Sequence, residues 1–228
     1  DSNTTKLRAA SQLEMRGSNL TLIGNASAAT SQTVGSFNLD STATDDHAGA
    51  NRITLTPGAG QEIVLNLGAI TRAINTRDGT VRFVLPTGTQ SATNGITTST
   101  LNTNGLLGAS AYGVVEDSTG TWFATNATNV AGGNIIGLVS TAKNDVTTWL
   151  AADHVTDETA GFTGTVSGTH LNSLRFDAAV GSILGLGNTG VLSIASGGLL
   201  VTSNVAGGAG ITGGTLVSGA TASNVPEL

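Results

Sequence analysis

Carboxylate and histidine side chains are the groups of this 228-residue chain that could carry acid–base or metal chemistry, and they are sparse. An acid adjoins a histidine at Asp45-Asp46-His47 and at Asp153-His154. Adjacent residues of a strand point to opposite faces, so neither segment has the geometry of a catalytic pair. Cysteine is absent, and no two histidines have the spacing of metal ligands. We therefore predict no catalytic residue and no cofactor, with weak cation candidates only at Asp45, Asp46 and Asp157-Glu158.

Glycine-rich segments give two matches to the dinucleotide-binding pattern G-x-G-x-x-G, at Gly185–Gly190 and Gly208–Gly213. That pattern requires a helix after it, whereas a further apolar β-type run follows each segment here. In a chain with 32 glycines we interpret both segments as turns. A calcium-binding nonapeptide at Gly207–Thr215 is rejected because Thr212 stands where that repeat has aspartate.

A polysaccharide-degrading enzyme is the alternative function that these residues leave open. β-Helical lyases and hydrolases line a groove with several aspartates and a lysine or arginine. The two lysines, Lys6 and Lys143, are far apart in the sequence, and the acids cluster in predicted loops. We predict that the protein is not an enzyme, with a polysaccharide lyase or glycoside hydrolase as the alternative.

The charge balance argues against nucleic acid as a partner. Nine lysines and arginines stand against 15 acids, which gives a net charge of -6, and no two basic residues are adjacent. Binding to phosphate backbones needs clustered basic residues. No apolar run approaches the ~20 residues of a membrane-spanning helix, so we predict no membrane insertion. Asp1–Thr5 lacks the regions of a signal peptide, and we expect a mature or excised piece of a longer protein.

Apolar residues occur in short runs that are rich in β-branched side chains and separated by Gly, Asn and Ser. The pattern is most regular in Leu171–Ser218. Short strands at near-regular spacing, without helical periodicity, are typical of stacked β-rungs. We predict an all-β chain that forms a right-handed parallel β-helix (a β-solenoid), with Asn, Ser and Thr of the turns in polar ladders. The alternative is a β-sandwich of the adhesin type.

Three segments differ in regularity along the chain. Residues 1–85 and 151–228 are predicted to form regular β-helix rungs. Strands of the first segment are expected at Ile53–Leu55, Ile63–Leu67 and Val81–Leu85. Residues 86–150 contain Tyr112 and both tryptophans and are predicted to be an irregular insertion or widened rungs. We expect the three segments to form one continuous solenoid.

The order of several segments resembles a known family. Leu20–Leu39 (LTLIGNASAATSQTVGSFNL), Ile53–Gly68 (ITLTPGAGQEIVLNLG) and later NSLRFDAAVGSILGLGNTGVLSIASGGLLVTSNV are similar to autotransporter-associated β-strand repeats. Those repeats occur in very large surface proteins of verrucomicrobial and planctomycetal bacteria. The resemblance implies a parallel β-helix passenger that is displayed or released at the cell surface, and it brings no catalytic motif to this chain.

The predicted role is that of an extracellular structural or adhesive module, with cell-surface glycans as further candidate partners. Neither end of the chain has the polar cap that terminates a solenoid. An uncapped rung exposes backbone N–H and C=O groups, which favours addition of the next copy or of further rungs in a longer parent chain. We therefore predict filament-forming interaction sites at both ends, with the residues Leu13, Leu20, Leu22, Ile211, Leu216 and Val217.

Overall fold

The computed structural model describes residues 6–39, 49–72, 79–108, 111–157 and 159–218. The cation candidates Asp45, Asp46 and Glu158 lie outside these residues. The chain divides into two compact units, Asp1–Leu138 and Val139–Leu228, and each is described by itself. Within the described residues the regular elements are strands, apart from one 3-10 turn at Val146–Thr148, so the all-β prediction is confirmed.

Three parallel ladders of strands build most of the first unit. Their strands are β1 (Gln12–Glu14), β2 (Asn19–Ile23), β3 (Thr30–Thr33), β4 (Ser36–Asn38), β5 (Ala50–Thr56), β6 (Ile63–Asn66), β7 (Ala69–Thr71), β8 (Thr80–Val84) and β9 (Gly95–Thr98). Ladder A contains β1, β4 and β7, ladder B contains β2, β5 and β8, and ladder C contains β3, β6 and β9. The chain visits A, B and C in turn three times, so each pass adds one parallel strand to every ladder.

Register along the ladders stacks apolar residues on the core side. In ladder B, Ile53 pairs with both Leu20 and Phe83. In ladder C, Leu65 pairs with Ile96. Paired residues point to the same face, while alternate residues of one strand point to opposite faces. Four of these five side chains are fully buried in one core, and Leu20 packs against it, so the alternation that predicted the strands also fills the core.

Antiparallel strands complete the first unit. After a short hairpin of β10 (Asn102–Thr103) and β11 (Leu106–Leu107), the chain forms β12 (Gly113–Asp117), β13 (Gly120–Asn126) and β14 (Gly133–Gly137). Strand β12 adds in parallel to β8, β13 lies antiparallel to β12 and β14, and β14 lies antiparallel to β9. These strands therefore join ladders B and C into one nine-stranded sheet. The sequence contains no local signal for the direction of these strands.

The second unit consists of parallel ladders throughout its named strands. These strands are β15 (Thr141–Ala142), β16 (His154–Thr156), β17 (Thr169–Phe176), β18 (Ser182–Gly185), β19 (Val191–Val201), β20 (Ala209–Thr212) and β21 (Thr215–Ser218). One sheet has the order β15-β16-β17-β19-β21, and β18 pairs with β20. Its core contains an aromatic row in which Phe162 makes edge-to-face contacts with Trp149 and Phe176, both at a centroid distance of 5.2 Å.

Glycines of successive passes face each other where the turns between strands come close. A Cβ atom on Gly49 would lie 2.5 Å from the Cα of Gly17. Gly68 has a φ of +62°, and a Cβ there would overlap the carbonyl oxygen of Gly35. A side chain at Gly49 is excluded by the neighbouring turn, and one at Gly68 is excluded both by that close approach and by the left-handed backbone. The stacking of turns thus explains part of the high glycine content.

Replacement of Gly68 tests this explanation. Gly68→Ala is expected to lower the free energy of unfolding by about 3 kcal/mol or more, because left-handed strain adds to a backbone clash. Gly60 is the matched control, since its φ is +67° but a Cβ there meets no atom within 4 Å. Gly60→Ala should therefore cost only ~1–2 kcal/mol. Urea unfolding measures both losses, and equal losses would contradict the stacking argument.

Candidate interaction surfaces

The interaction residues predicted near the start of the chain lie on two outer strands of the first unit. Leu13 lies in β1, and Leu20 and Leu22 lie in β2. Among the described strands, β1 pairs only with β4 and β2 only with β5. Leu22 is buried, and Leu13 and Leu20 are half-buried against the core. These side chains support the core, so a partner at this edge would meet mainly backbone N–H and C=O groups.

The interaction residues predicted near the end of the chain lie on outer strands of the second unit. Ile211 lies in β20, which pairs with β18, while Leu216 and Val217 lie in β21, which pairs with β19. Within the described part of the chain, these are the only ladder partners of β20 and β21. Ile211 and Leu216 pack against the second core, whereas Val217 faces away from it and is 37% exposed.

Polar residues occupy core-side positions on the outer strand of ladder C, which sequence reasoning missed. Gln32 pairs with Leu65 and Thr30 pairs with Ile63, yet both polar side chains are almost fully buried. The backbone N–H of Leu7 donates to Gln32 Oε1 at 2.8 Å, and the Leu7 side chain packs against the core. Leu7 therefore covers this end of ladder C, and its N–H group satisfies the buried amide oxygen of Gln32. Gln32 stands out only because it is in register with Leu65 and Ile96, and that register cannot be inferred from the sequence.

Two core-side residues of β19 are partly exposed. Leu199 pairs with Leu174, and Val201 pairs with Phe176. The two residues of β17 are buried, whereas Leu199 and Val201 are 38% and 49% exposed. Within the described residues, β21 pairs with Val191–Ile194 of β19 and not with the half of the strand that contains Leu199 and Val201. A further strand paired with this half of β19 would cover both side chains.

A buried ionic cluster lies at the ends of β16 and β17. Arg175 is fully buried, and its Nη2 lies 2.8 Å from Asp177 Oδ2. Asp157, also fully buried, accepts hydrogen bonds through Oδ1 from the backbone N–H groups of Asp177 and Ala178, at 2.5 and 3.0 Å. The cation candidate Asp157 therefore binds backbone within the fold. Across the described residues, no group of three or more His, Cys, Asp or Glu side chains is placed to hold a metal ion.

Asp153 and His154, the acid–histidine pair within the described part, bind different partners. Asp153 Oδ2 lies 2.5 Å from Lys143 Nζ and accepts the backbone N–H of Leu150 at 2.8 Å. His154 Nδ1 lies 2.8 Å from the hydroxyl of Ser173 on the neighbouring strand β17. Partial burial acts to raise the pKa of Asp153, but the hydrogen bonds from Lys143 and Leu150 and the nearby positive charge hold this pKa below its ordinary value.

A small charged cluster lies on the outer face of ladder B. Arg52 and Arg82 pair in register on β5 and β8. Glu116 of β12 places its Oε2 3.6 Å from Arg52 Nη2 and 3.3 Å from Arg82 Nη1. The three residues come from separate strands, so sequence spacing gave no signal for this cluster.

Acidification should remove the contribution of the Asp153–Lys143 ion pair to stability. Because the folded state lowers the pKa of Asp153 from 3.8, its stabilisation is fully present above that value and is lost as the pH falls through the folded pKa. Asp153→Asn should therefore be less stable than the wild type at pH 7, and the difference in stability should shrink as the pH falls below 3.8 and through the folded pKa. Urea unfolding across this pH range measures the difference, and a constant difference down to pH 2 would contradict the prediction.

No helix of the described residues is long and apolar enough to cross a membrane.

Similarity to a known protein extends over almost the whole chain. No protein-family model and no solved structure matches the chain. The adhesin BmaC autotransporter of Brucella suis biovar 1 (strain 1330) is 31% identical over 227 residues, and the match covers 91% of this chain but 6% of that protein. The chain is therefore similar to one short segment of a very long autotransporter adhesin.

Proposed function

We propose that the chain is a passenger segment of an autotransporter-type surface protein, with a structural or adhesive role outside the cell. The similarity to a segment of an autotransporter adhesin carries this proposal. The resemblance to autotransporter-associated β-strand repeats, including their verrucomicrobial and planctomycetal forms, supports the same role. Because a passenger segment of this type is displayed on or released from the cell surface, we also propose an extracellular location. The match covers only 6% of that adhesin. An adhesive activity of a longer parent protein is therefore also a proposal.

We further propose that the parallel ladders are turns of a right-handed parallel β-helix. The repeated A, B, C order supports this, because each pass adds one parallel strand to every ladder. Crossovers between parallel strands are right-handed in ~98% of cases, which supports the hand. A β-sandwich consists of antiparallel sheets, whereas ladders A, B and C are parallel. The continuity of residues 1–85, 86–150 and 151–228 in one solenoid stays a prediction.

The proposed role is non-catalytic, and a polysaccharide-degrading enzyme is the alternative. Glycoside hydrolysis uses two carboxyl groups that flank the scissile bond of a bound sugar. Asp157 is buried and binds backbone, and Asp153 is paired with Lys143, so neither carboxylate is free to protonate or attack a glycan. The name of the matched protein, an adhesin, also favours binding over catalysis.

Display of the chain on a bacterial surface tests the adhesive role. Residues 1–228 are fused to a signal peptide and an outer-membrane translocator in a laboratory strain that adheres poorly. We expect a several-fold increase in adherence to epithelial monolayers over the translocator alone, with an unrelated passenger of equal display level as the control. A displayed, protease-resistant chain without any increase would contradict adhesion. Release of reducing ends from acidic polysaccharides by the purified chain would favour the enzyme.

We propose that β2 and β21 are the edges at which further rungs, or another copy of the chain, are added. Neither Asn19–Ile23 nor Thr215–Ser218 contains a charged residue. Charged residues on edge strands normally prevent pairing with another chain, so these two edges lack that protection. If the β2 edge of one copy pairs with the β21 edge of the next, the contact does not generate a closed ring. The copies then assemble into a filament.

A lysine on the edge strand should block this self-association. Val217→Lys places a charge on β21, and we expect a purified chain that stays monomeric at concentrations where the wild type associates. Val191→Lys is the matched control, because Val191 is exposed to a similar degree, 40% against 37%, but lies on the inner strand β19. Light scattering against concentration measures both variants. A monomeric wild type, or equal effects of both lysines, would contradict end-to-end addition.

A further inference from the structure

Two arginines stand side by side on the outer face of ladder B. Arg52 on β5 and Arg82 on β8 occupy paired positions, and their side chains are 43% and 48% exposed. Paired residues of adjacent strands point to the same face, so the two guanidinium groups project into the same region of solvent. Like charges in directly paired positions repel each other. Binding of an anion at this place would relieve that repulsion.

Glu116 neutralises this arginine pair only in part. Among the described residues, it is the acid within ion-pair distance of either guanidinium, at 3.6 Å from Arg52 and 3.3 Å from Arg82. One carboxylate shared by two guanidinium groups leaves one positive charge. Each guanidinium has five N–H donors in a planar fork that matches carboxylate and related oxyanions. Donors of both arginines therefore remain available to an incoming acidic group.

We propose that this outer face binds an acidic polysaccharide, with Arg52 and Arg82 contacting its sulfate or carboxylate groups. Asn19 pairs with Arg52. Two residues further along the same two strands, Thr21 pairs with Thr54 on the same face of the sheet. Their amide and hydroxyl groups are suited to hydrogen bonds with sugar hydroxyls. A row of such groups across successive parallel strands fits a linear polymer with repeated acidic groups.

The overall charge of the chain favours a polysaccharide over a nucleic acid at this face. With a net charge of -6, the protein as a whole repels polyanions, so an acidic polymer is held by local contacts. Nucleic acids carry a charge on every nucleotide and are bound by broad basic surfaces. An acidic polysaccharide presents its anionic groups among neutral hydroxyls, which matches two arginines flanked by Asn19, Thr21 and Thr54.

The inference rests on the proposed adhesive role and names its ligand class, but its test needs no cells. The purified 228-residue chain is titrated by calorimetry with a hyaluronan-derived octasaccharide, which carries one carboxylate per disaccharide among neutral hydroxyls. We expect the R52Q/R82Q double variant to bind about tenfold more weakly, and wild-type affinity to fall as salt is raised. Lys6→Gln/Arg8→Gln is the matched control, because it also removes two positive charges, from exposed residues outside ladder B, and should leave affinity within about twofold.

Glu116→Gln provides a change of opposite sign. Removal of the competing carboxylate should tighten binding of the octasaccharide by about threefold or more, which a merely unfolded variant could not do. An oligodeoxythymidylate of equal charge should bind much more weakly than the octasaccharide. Unchanged affinity in R52Q/R82Q, no binding by the wild type, or equal affinity for the oligonucleotide would overturn the inference. Adherence of the displayed chain in any of these cases would show that the proposed function holds without this ligand.

Discussion

The close approach of backbones in successive passes is the constraint on which both units depend. Parallel strands stack about 4.8 Å apart, and the turns that connect them must stack at a similar distance. In the second unit, a Cβ on Gly207 would lie 2.5 Å from the backbone nitrogen of Gly181, and one on Gly213 would lie 2.7 Å from the carbonyl oxygen of Gly187. Glycine is therefore selected at these turns by the neighbouring pass, and the low complexity of the sequence is a consequence of stacking.

Polar side chains connect the passes that apolar residues pack together. Asn51 is buried, and it accepts the N–H of Ser18 in the preceding pass and donates to the carbonyl oxygen of Thr80 in the following pass. On ladder C, Asn66 donates to Thr33 at 3.1 Å and accepts from Thr97 at 2.5 Å. Buried polar groups are tolerated when they are hydrogen-bonded, and bonds that cross the ladder also fix its register. Asn51, Asn66, Thr33 and Thr97 lie within strands, so these contacts differ from the polar ladders predicted for the turns.

The strands could be predicted from the sequence because alternation is a local signal, whereas their partners could not. Ile53–Leu55, Ile63–Leu67 and Val81–Leu85 were expected as strands and match β5, β6 and β8 closely. The antiparallel direction of β13 depends on contacts with β12 and β14, and no local pattern encodes it. The same limit applies to the arginine pair on ladder B, since its residues meet only through the register of two strands that are separated in the sequence.

The outer strand of ladder C and the exposed half of β19 differ in what they present to a further strand. Core-side positions of β3 carry Thr30 and Gln32, and the N–H of Leu7 already satisfies the amide of Gln32. Core-side positions of β19 carry Leu199 and Val201, which remain partly exposed. Covering apolar side chains gains free energy from the hydrophobic effect, whereas displacing Leu7 would first break a buried hydrogen bond. If further rungs are added to this chain, the open part of β19 therefore favours their addition more strongly than ladder C does.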